Sequence, residues 1–150
     1  MAVRYKVCID CSDPHLLARF WAQALDYVVE DHSPLIESLL AEGAPIRDHL
    51  VEVDGRKAWR TAAGIRDPEH PVNAETGVGQ GGRILFQTVP EPKQAKNRLH
   101  LDLHVGADRV DAEAERLCGL GASRLGEGHE EGGSRWIVLA DPEDNEFCVA

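Results

Sequence analysis

The stretch Arg98 to Val105, RLHLDLHV, decides the fold. Leu99, Leu101, Leu103 and Val105 alternate strictly with His100, Asp102 and His104. A period of two predicts a β-strand over 98–105 whose leucine face lies on an apolar core. The other face repeats ionisable groups where Ser or Thr would serve. Such a strand can form the floor of a polar cavity. His100 and His104 lie roughly 13 Å apart along extended backbone and cannot share one ion, whereas His100 and Asp102 can.

After this strand, the pattern predicts a helix over 108–118, with Val110, Ala114, Leu117 and Cys118 inward and Gly119 and Gly121 as its stop. A short strand over 122–125, an acidic turn over 126–133 and a strand over 134–140 follow. Asp141-Pro142-Glu143-Asp144-Asn145 reads as a turn before a closing strand over 146–150.

Before it, Tyr5 to Cys11 alternates as a strand. Ser12-Asp13-Pro14 supplies a helix cap, and Leu16, Leu17, Phe20, Trp21, Ala24 and Leu25 continue it to about 25. His15, in its first turn, reads as solvated. Tyr27 to Asp31 is a second strand. Ser33-Pro34 opens another helix that stops at Gly43, and Pro45 starts a further helical piece through His49. Core packing is the expectation for this helical insertion near 33–50; a sheet edge, a second subunit or a pocket are the alternatives. Val51 to Val53 leads into an Asp54-Gly55 turn, with a return over 57–65. The run 67–82 reads as a loop. Its Gly77-x-Gly79-x-Gly81-Gly82 precedes a strand instead of opening a helix, which argues against a dinucleotide fingerprint. Arg83 to Val89 is a strand, and 93–97 connects the halves.

The halves match. Lys6 to Cys11 lies over His100 to Val105 in the same phase, and Asp67-Pro68-Glu69 ends a strand as Asp141-Pro142-Glu143 does. The expectation is one domain of α+β class, with repeat one over about 3–92 including the insertion and repeat two over about 97–150. Two βαβββ repeats side by side predict curled mixed sheets around a shared cavity.

The 150 residues suit one domain with a sizeable core. A formal charge of −10, from 16 basic and 26 acidic residues, argues against nucleic acid or an anionic membrane as partner. No run is apolar enough to cross a bilayer, and the N-terminus reads as a strand instead of a signal peptide, so a cytoplasmic location is expected. Cys8, Cys11, Cys118 and Cys148 are then expected reduced. Cys8-x-x-Cys11 has redox or metal-pair spacing, but an offset of three on a strand sends the side chains to opposite faces. Two small strand residues are the plainer reading.

With these residues in view, the chain resembles the vicinal oxygen chelate superfamily, which includes glyoxalase I, extradiol dioxygenases and bleomycin- and fosfomycin-resistance proteins. The marks are Asp13 followed by Phe20-Trp21, His100 opening the second repeat, and the ending Leu139 to Val149 with its Asp-Pro-x-x-Asn turn, where Asp144 replaces the usual Gly. The likeness is greatest to the glyoxalase-like domain group, and it covers all but the insertion. It implies the glyoxalase/bleomycin resistance/dihydroxybiphenyl dioxygenase fold, and a homodimer.

Metal-dependent members take ligands from the first and last strands of each repeat, which here implies Lys6, Gln87, His100 and Cys148. Only His100 is a typical ligand for that place. Lys6 repels a cation, Gln87 is a weak donor and Cys148 stands where a carboxylate is expected, so no metal cofactor is expected. The alternative is a divalent ion (Zn, Fe, Mn or Ni) on His100 with Asp102, Asp10 or Cys148. Two functions follow. One is a protein that binds a small organic molecule without breaking a bond, using Lys6, Gln87, His100 and Cys148 as polar groups and Trp59 or Trp136 as apolar wall. The other is a lyase, isomerase or dioxygenase-type enzyme in which His100 is a metal ligand or a catalytic general acid or base, helped by Asp102 or Glu146. For Asp102 and His104, solvation of an open sheet face is the plainer expectation.

Overall fold

The computed structural model describes residues 1–150. The chain divides into two units, Met1–Pro90 and Glu91–Ala150.

The first unit runs β1 (Val7–Cys11), α1 (Pro14–Leu25), β2 (Val28–Val29), α2 (Ser33–Ala41), a 3-10 turn at Arg47–His49, β3 (Leu50–Val53), β4 (Arg56–Trp59), β5 (Ala62–Arg66) and β6 (Arg83–Thr88). The main sheet has the order β1-β6-β5-β2, and β3 and β4 form a separate ribbon. α1 starts where Asp13 accepts hydrogen bonds from the backbone N–H groups of His15 and Leu16 at 3.1 and 3.0 Å, with Pro14 in the first turn. It stops at Asp26, which takes the left-handed conformation. Its apolar stripe carries Leu17 and Trp21, and these are fully buried with Ile65 and Phe86 of the sheet. Removing a side chain of that size from water contributes about 2–3 kcal/mol.

The second unit runs β7 (Asp102–Leu103), α3 (Val110–Leu120), β8 (Ser123–His129), β9 (Arg135–Ala140) and β10 (Glu146–Val149), with sheet order β7-β10-β9-β8. Ile137, Leu139, Phe147 and Val149 occupy alternate positions, and all are buried, as are Val110 and Leu117 of α3. That alternation leaves Trp136, Val138 and Cys148 on the opposite face. In both main sheets the first strand lies beside the last, in parallel, and the spatial order is first, fourth, third, second. The duplication read from the sequence is therefore present in the topology.

The curling of the sheets is not. The strands form two open four-stranded sheets with linear order, neither curled nor closed. The edge strands β2 and β7 supply only two paired residues each, too few to carry a ladder around a cavity. The strand predicted over 98–105 shrinks to Asp102–Leu103, and Leu99 is 88% exposed instead of inward. The return from the Asp54-Gly55 turn is two strands in different sheets, and β8 continues through the predicted turn to His129. In the insertion only Ile36 of α2 is buried. No helix is long and apolar enough to cross a membrane.

The turn before β10 is held by Asp141, 2% exposed, whose carboxylate accepts hydrogen bonds from the N–H groups of Glu143 and Asn145 and from the Asn145 amide. Asp144 sits there at φ 65°. A side chain in this conformation costs about 1–2 kcal/mol, and glycine's extra freedom in the unfolded chain offsets about half of it. Asp144→Gly is expected to raise the melting temperature, with a gain of about 0.5 kcal/mol by denaturant unfolding.

Candidate metal centre

The last strand of the second unit carries the site. β10 lies parallel to β7, with Cys148 opposite Asp102. The Cys148 N–H donates to the Leu101 carbonyl at 2.9 Å, and the Ala150 N–H donates to Leu103 at 2.9 Å. This register puts the Cys148 thiol and the Asp102 carboxylate side by side on the face away from α3. His100, two residues before Asp102, brings its Nε2 to 3.3 Å from Asp102 Oδ1. One donor atom from each of His100, Asp102 and Cys148 lies within 4.8 Å of the others. Burial and the neighbouring Asp102 charge push the Cys148 thiol above its usual range.

The expectation of no metal is overturned by this cluster. Local pattern marks only His100 as a typical ligand, because the parallel β7–β10 pairing that brings Cys148 beside Asp102 joins segments far apart in the chain. Cys148 completes the set with His100 and Asp102. An imidazole nitrogen, a carboxylate oxygen and a sulfur suit a borderline ion such as zinc, and poorly suit Mg or Ca. Three protein donors leave a coordination position open, as catalytic zinc sites do.

Other sequence candidates lie elsewhere. Lys6 precedes β1 and is exposed. Gln87 is on β6, opposite Asp10, and donates to its carboxylate at 3.1 Å. Both are in the first unit. Cys8 is exposed and Cys11 buried, on opposite faces as the spacing predicts. Glu146 is unsuited to proton transfer near neutrality. Burial raises its pKa, but bonds from the Asn97 N–H at 2.9 Å and from Lys93 at 3.1 Å outweigh that and bring it to about 2. Trp136 lies on the same face of the second sheet as Cys148.

Trp59 lines a cavity of about 210 Å³ inside the first unit, with His15, His32, Lys57 and Gly64 among its walls. His15 is not simply solvated: its Nε2 is 2.9 Å from the Trp59 carbonyl. His100 is not part of this cavity, and its side chain is 41% exposed.

Sequence reasoning missed the cluster around Glu30. Its carboxylate is fully buried and takes two bonds from Arg83, at 2.6 and 2.7 Å. It accepts a third from the Gly79 N–H at 2.7 Å, and His32 Nε2 lies at 3.1 Å. Nothing local marks a glutamate at a strand end as the partner of an arginine 53 residues away. Burial alone would raise the Glu30 pKa; the bonds from His32, Arg83 and Gly79 outweigh it and bring it to about 2. A carboxylate depressed below its ordinary 4.5 stabilises the fold fully above that pH and loses this contribution as pH falls towards about 2. The melting temperature should therefore fall steeply from about pH 4.5 downward, and Glu30→Gln should flatten that slope.

The model of a family described as glyoxalase-like domain matches residues 6–150. No curated protein sequence matches. A glyoxalase/bleomycin resistance protein/dioxygenase family enzyme from Burkholderia phytofirmans PsJN is similar in structure, with TM-score 0.57 and 16% identity over 96% of this chain and 94% of that one. A variant of the fosfomycin resistance protein FosX from Listeria monocytogenes, complexed with Mn(II) and 1S,2S-dihydroxypropylphosphonic acid, gives TM-score 0.58 and 13% identity over 99% and 89%. A glyoxalase-related enzyme from Fulvimarina pelagi gives 0.57 and 14% over 100% and 88%. At such identities the likeness is one of fold.

Proposed function

Because the chain belongs to the glyoxalase-like domain family, we propose that it is a metal-dependent enzyme acting on a small organic molecule, with His100, Asp102 and Cys148 holding one zinc ion. The observation that carries this is the convergence of three different donors within 4.8 Å through the β7–β10 pairing. A relative of the same fold complexed with Mn(II) supports a divalent ion. The donor chemistry favours zinc over Mn here, since a sulfur replaces a hard oxygen.

Zinc has no redox chemistry, which favours a lyase or isomerase over a dioxygenase. When bound it supplies Lewis acidity to a substrate oxygen. The chain's own residues do the rest. The 3.3 Å contact between Asp102 and the His100 imidazole holds the two donors together before an ion enters. As a ligand, His100 no longer serves as a general acid or base.

Elemental analysis with a zinc titration tests the reading. One zinc per chain is expected, and His100→Ala should lose it while its circular dichroism stays that of the parent. A parent chain that takes up no zinc overturns the proposal. A metal-free protein whose melting temperature rises with a small aromatic or cationic compound would point to the binding protein instead.

A further inference from the structure

In the first unit, β2 leaves part of the β5 edge open. The two strands pair through Val28 opposite Arg66 and Val29 opposite Ile65. The Glu30 N–H adds one more rung by donating to the Gly64 carbonyl at 2.8 Å. Continued in this register, the strand would set His32 opposite Ala62. It does not continue: the Asp31 carboxylate accepts from the Ser33 N–H at 3.0 Å, Pro34 follows, and α2 carries the chain away. In an antiparallel ladder, successive residues turn their N–H and C=O groups to opposite sides. The Thr61 carbonyl faces β6, where it accepts from the Thr88 N–H at 2.9 Å. Ala62 and Gly64 therefore differ in their facing: Ala62 turns to the open edge, and so does Gly64. The Gly64 N–H and the Ala62 carbonyl have no protein partner there, although Gly64 is buried. Buried backbone N–H groups are nearly always paired, so this one favours a ligand that brings an acceptor.

The same edge borders the cavity of about 210 Å³, with Val29, His32, Val53, Trp59 and Ala62 among its walls. The charged side chains around it are already matched within the protein. Glu30 meets Arg83, Asp31 meets Arg56, Lys57 meets Glu37, and Asp54 lies 3.9 Å from Arg19. With no charge left over to receive an ion, the walls favour a neutral ligand. At about 30 Å³ per water, the cavity has room for about seven waters, or for a bonded molecule of up to about ten non-hydrogen atoms. We propose that this edge binds a small neutral amide, one amino-acid residue held between two amide groups, which pairs with β5 where β2 leaves it. The first carbonyl of the ligand accepts from the Gly64 N–H, and the N–H of its second amide donates to the Ala62 carbonyl. These are the places that the Glu30 carbonyl and the His32 N–H would take in a continued ladder. Val29 and Trp59 supply the apolar wall, as side-chain pockets do when a strand is added to a sheet edge. The site goes beyond the zinc reading and stands without it.

The test titrates the full isotope-labelled chain with N-acetyl-alaninamide, N-acetylalanine methyl ester and N-acetylalanine, and follows the backbone amide resonances by NMR. All three probes keep the acetyl carbonyl. The ester lacks the second N–H, and the acid sets a carboxylate against the Ala62 carbonyl. The amide is expected to move the Gly64 N–H resonance downfield, saturably, and to bind at least about tenfold more tightly than either of the others. Ala62→Leu, which narrows the cavity from β5, should weaken the amide by at least about tenfold while the rest of the spectrum stays that of the parent. A Gly64 resonance that the amide does not move overturns the proposal. So does equal affinity for the three probes, or a folded Ala62→Leu variant that binds as the parent does. If that variant does not fold, the three-probe comparison on the parent decides alone. A chain that takes up no zinc leaves this site untouched, so the two readings fail separately.

Discussion

Arg83→Met is expected to destabilise the first unit by about 3–5 kcal/mol, the loss typical when one partner of a buried ion pair is removed. Glu30 is fully enclosed and has its two shortest side-chain contacts with Arg83. Without the guanidinium, the carboxylate keeps only the Gly79 N–H and His32. It must then ionise in a dry site or take up a proton, and both are costly. It cannot retreat, because its carboxylate rests against Gly64, where an added Cβ would meet Glu30 Oε2. The same carboxylate ties down the loop at Gly79, so the variant should also be cleaved by protease within 67–82 far faster than the parent. Urea unfolding followed by the fluorescence of buried Trp21 measures the stability term. The double variant Glu30→Leu with Arg83→Met should recover much of the loss, since an apolar pair leaves no charge unpaired. A single variant within about 1 kcal/mol of the parent would show that the pair contributes little.

The second large effect belongs to the proposed metal centre. Cys148→Ser is expected to weaken zinc binding at least about 100-fold, the upper end of what loss of a mere outer-shell partner costs. Serine keeps the size and the position on β10, and it presents a neutral hydroxyl in place of a thiolate. The soft donor that separates zinc from harder ions disappears. The variant's remaining preference should move towards Mn relative to zinc. Competition against a chromophoric chelator measures both constants. Backbone hydrogen bonds tie Cys148 to Leu101 and leave the strand intact, so the variant should melt close to the metal-free parent. Unchanged zinc affinity would exclude the sulfur from the ligand set. Because His100 and Asp102 are about half exposed, their ion pair by itself contributes little to stability.

How much of this was legible in the residues varies from element to element. The helix over 14–25 was readable to its first and last residue, because Asp13, Pro14 and the apolar stripe are local signals. The halves could be matched because period-two patterns and the repeated Asp-Pro-Glu turn survive without any structure. Trp136 could be named as an apolar wall, but not laid over Gly128, since only pairing between β8 and β9 puts them opposite each other. The eight-residue strand at 98–105 was overread: alternation describes which way side chains would point, while the number of paired residues depends on how far β10 runs alongside.

By itself the sequence determined the α+β class, the duplicated order of strands and helices, and a histidine two residues before an aspartate. These follow from local periodicity and capping, where each residue's neighbours along the chain set its conformation. Tertiary structure alone decided that the sheets stay open, that Cys148 stands beside Asp102, and that Glu30 meets Arg83. Each of those depends on register between segments far apart in the chain, and a shift of one residue in a ladder sends every side chain of the strand to the other face.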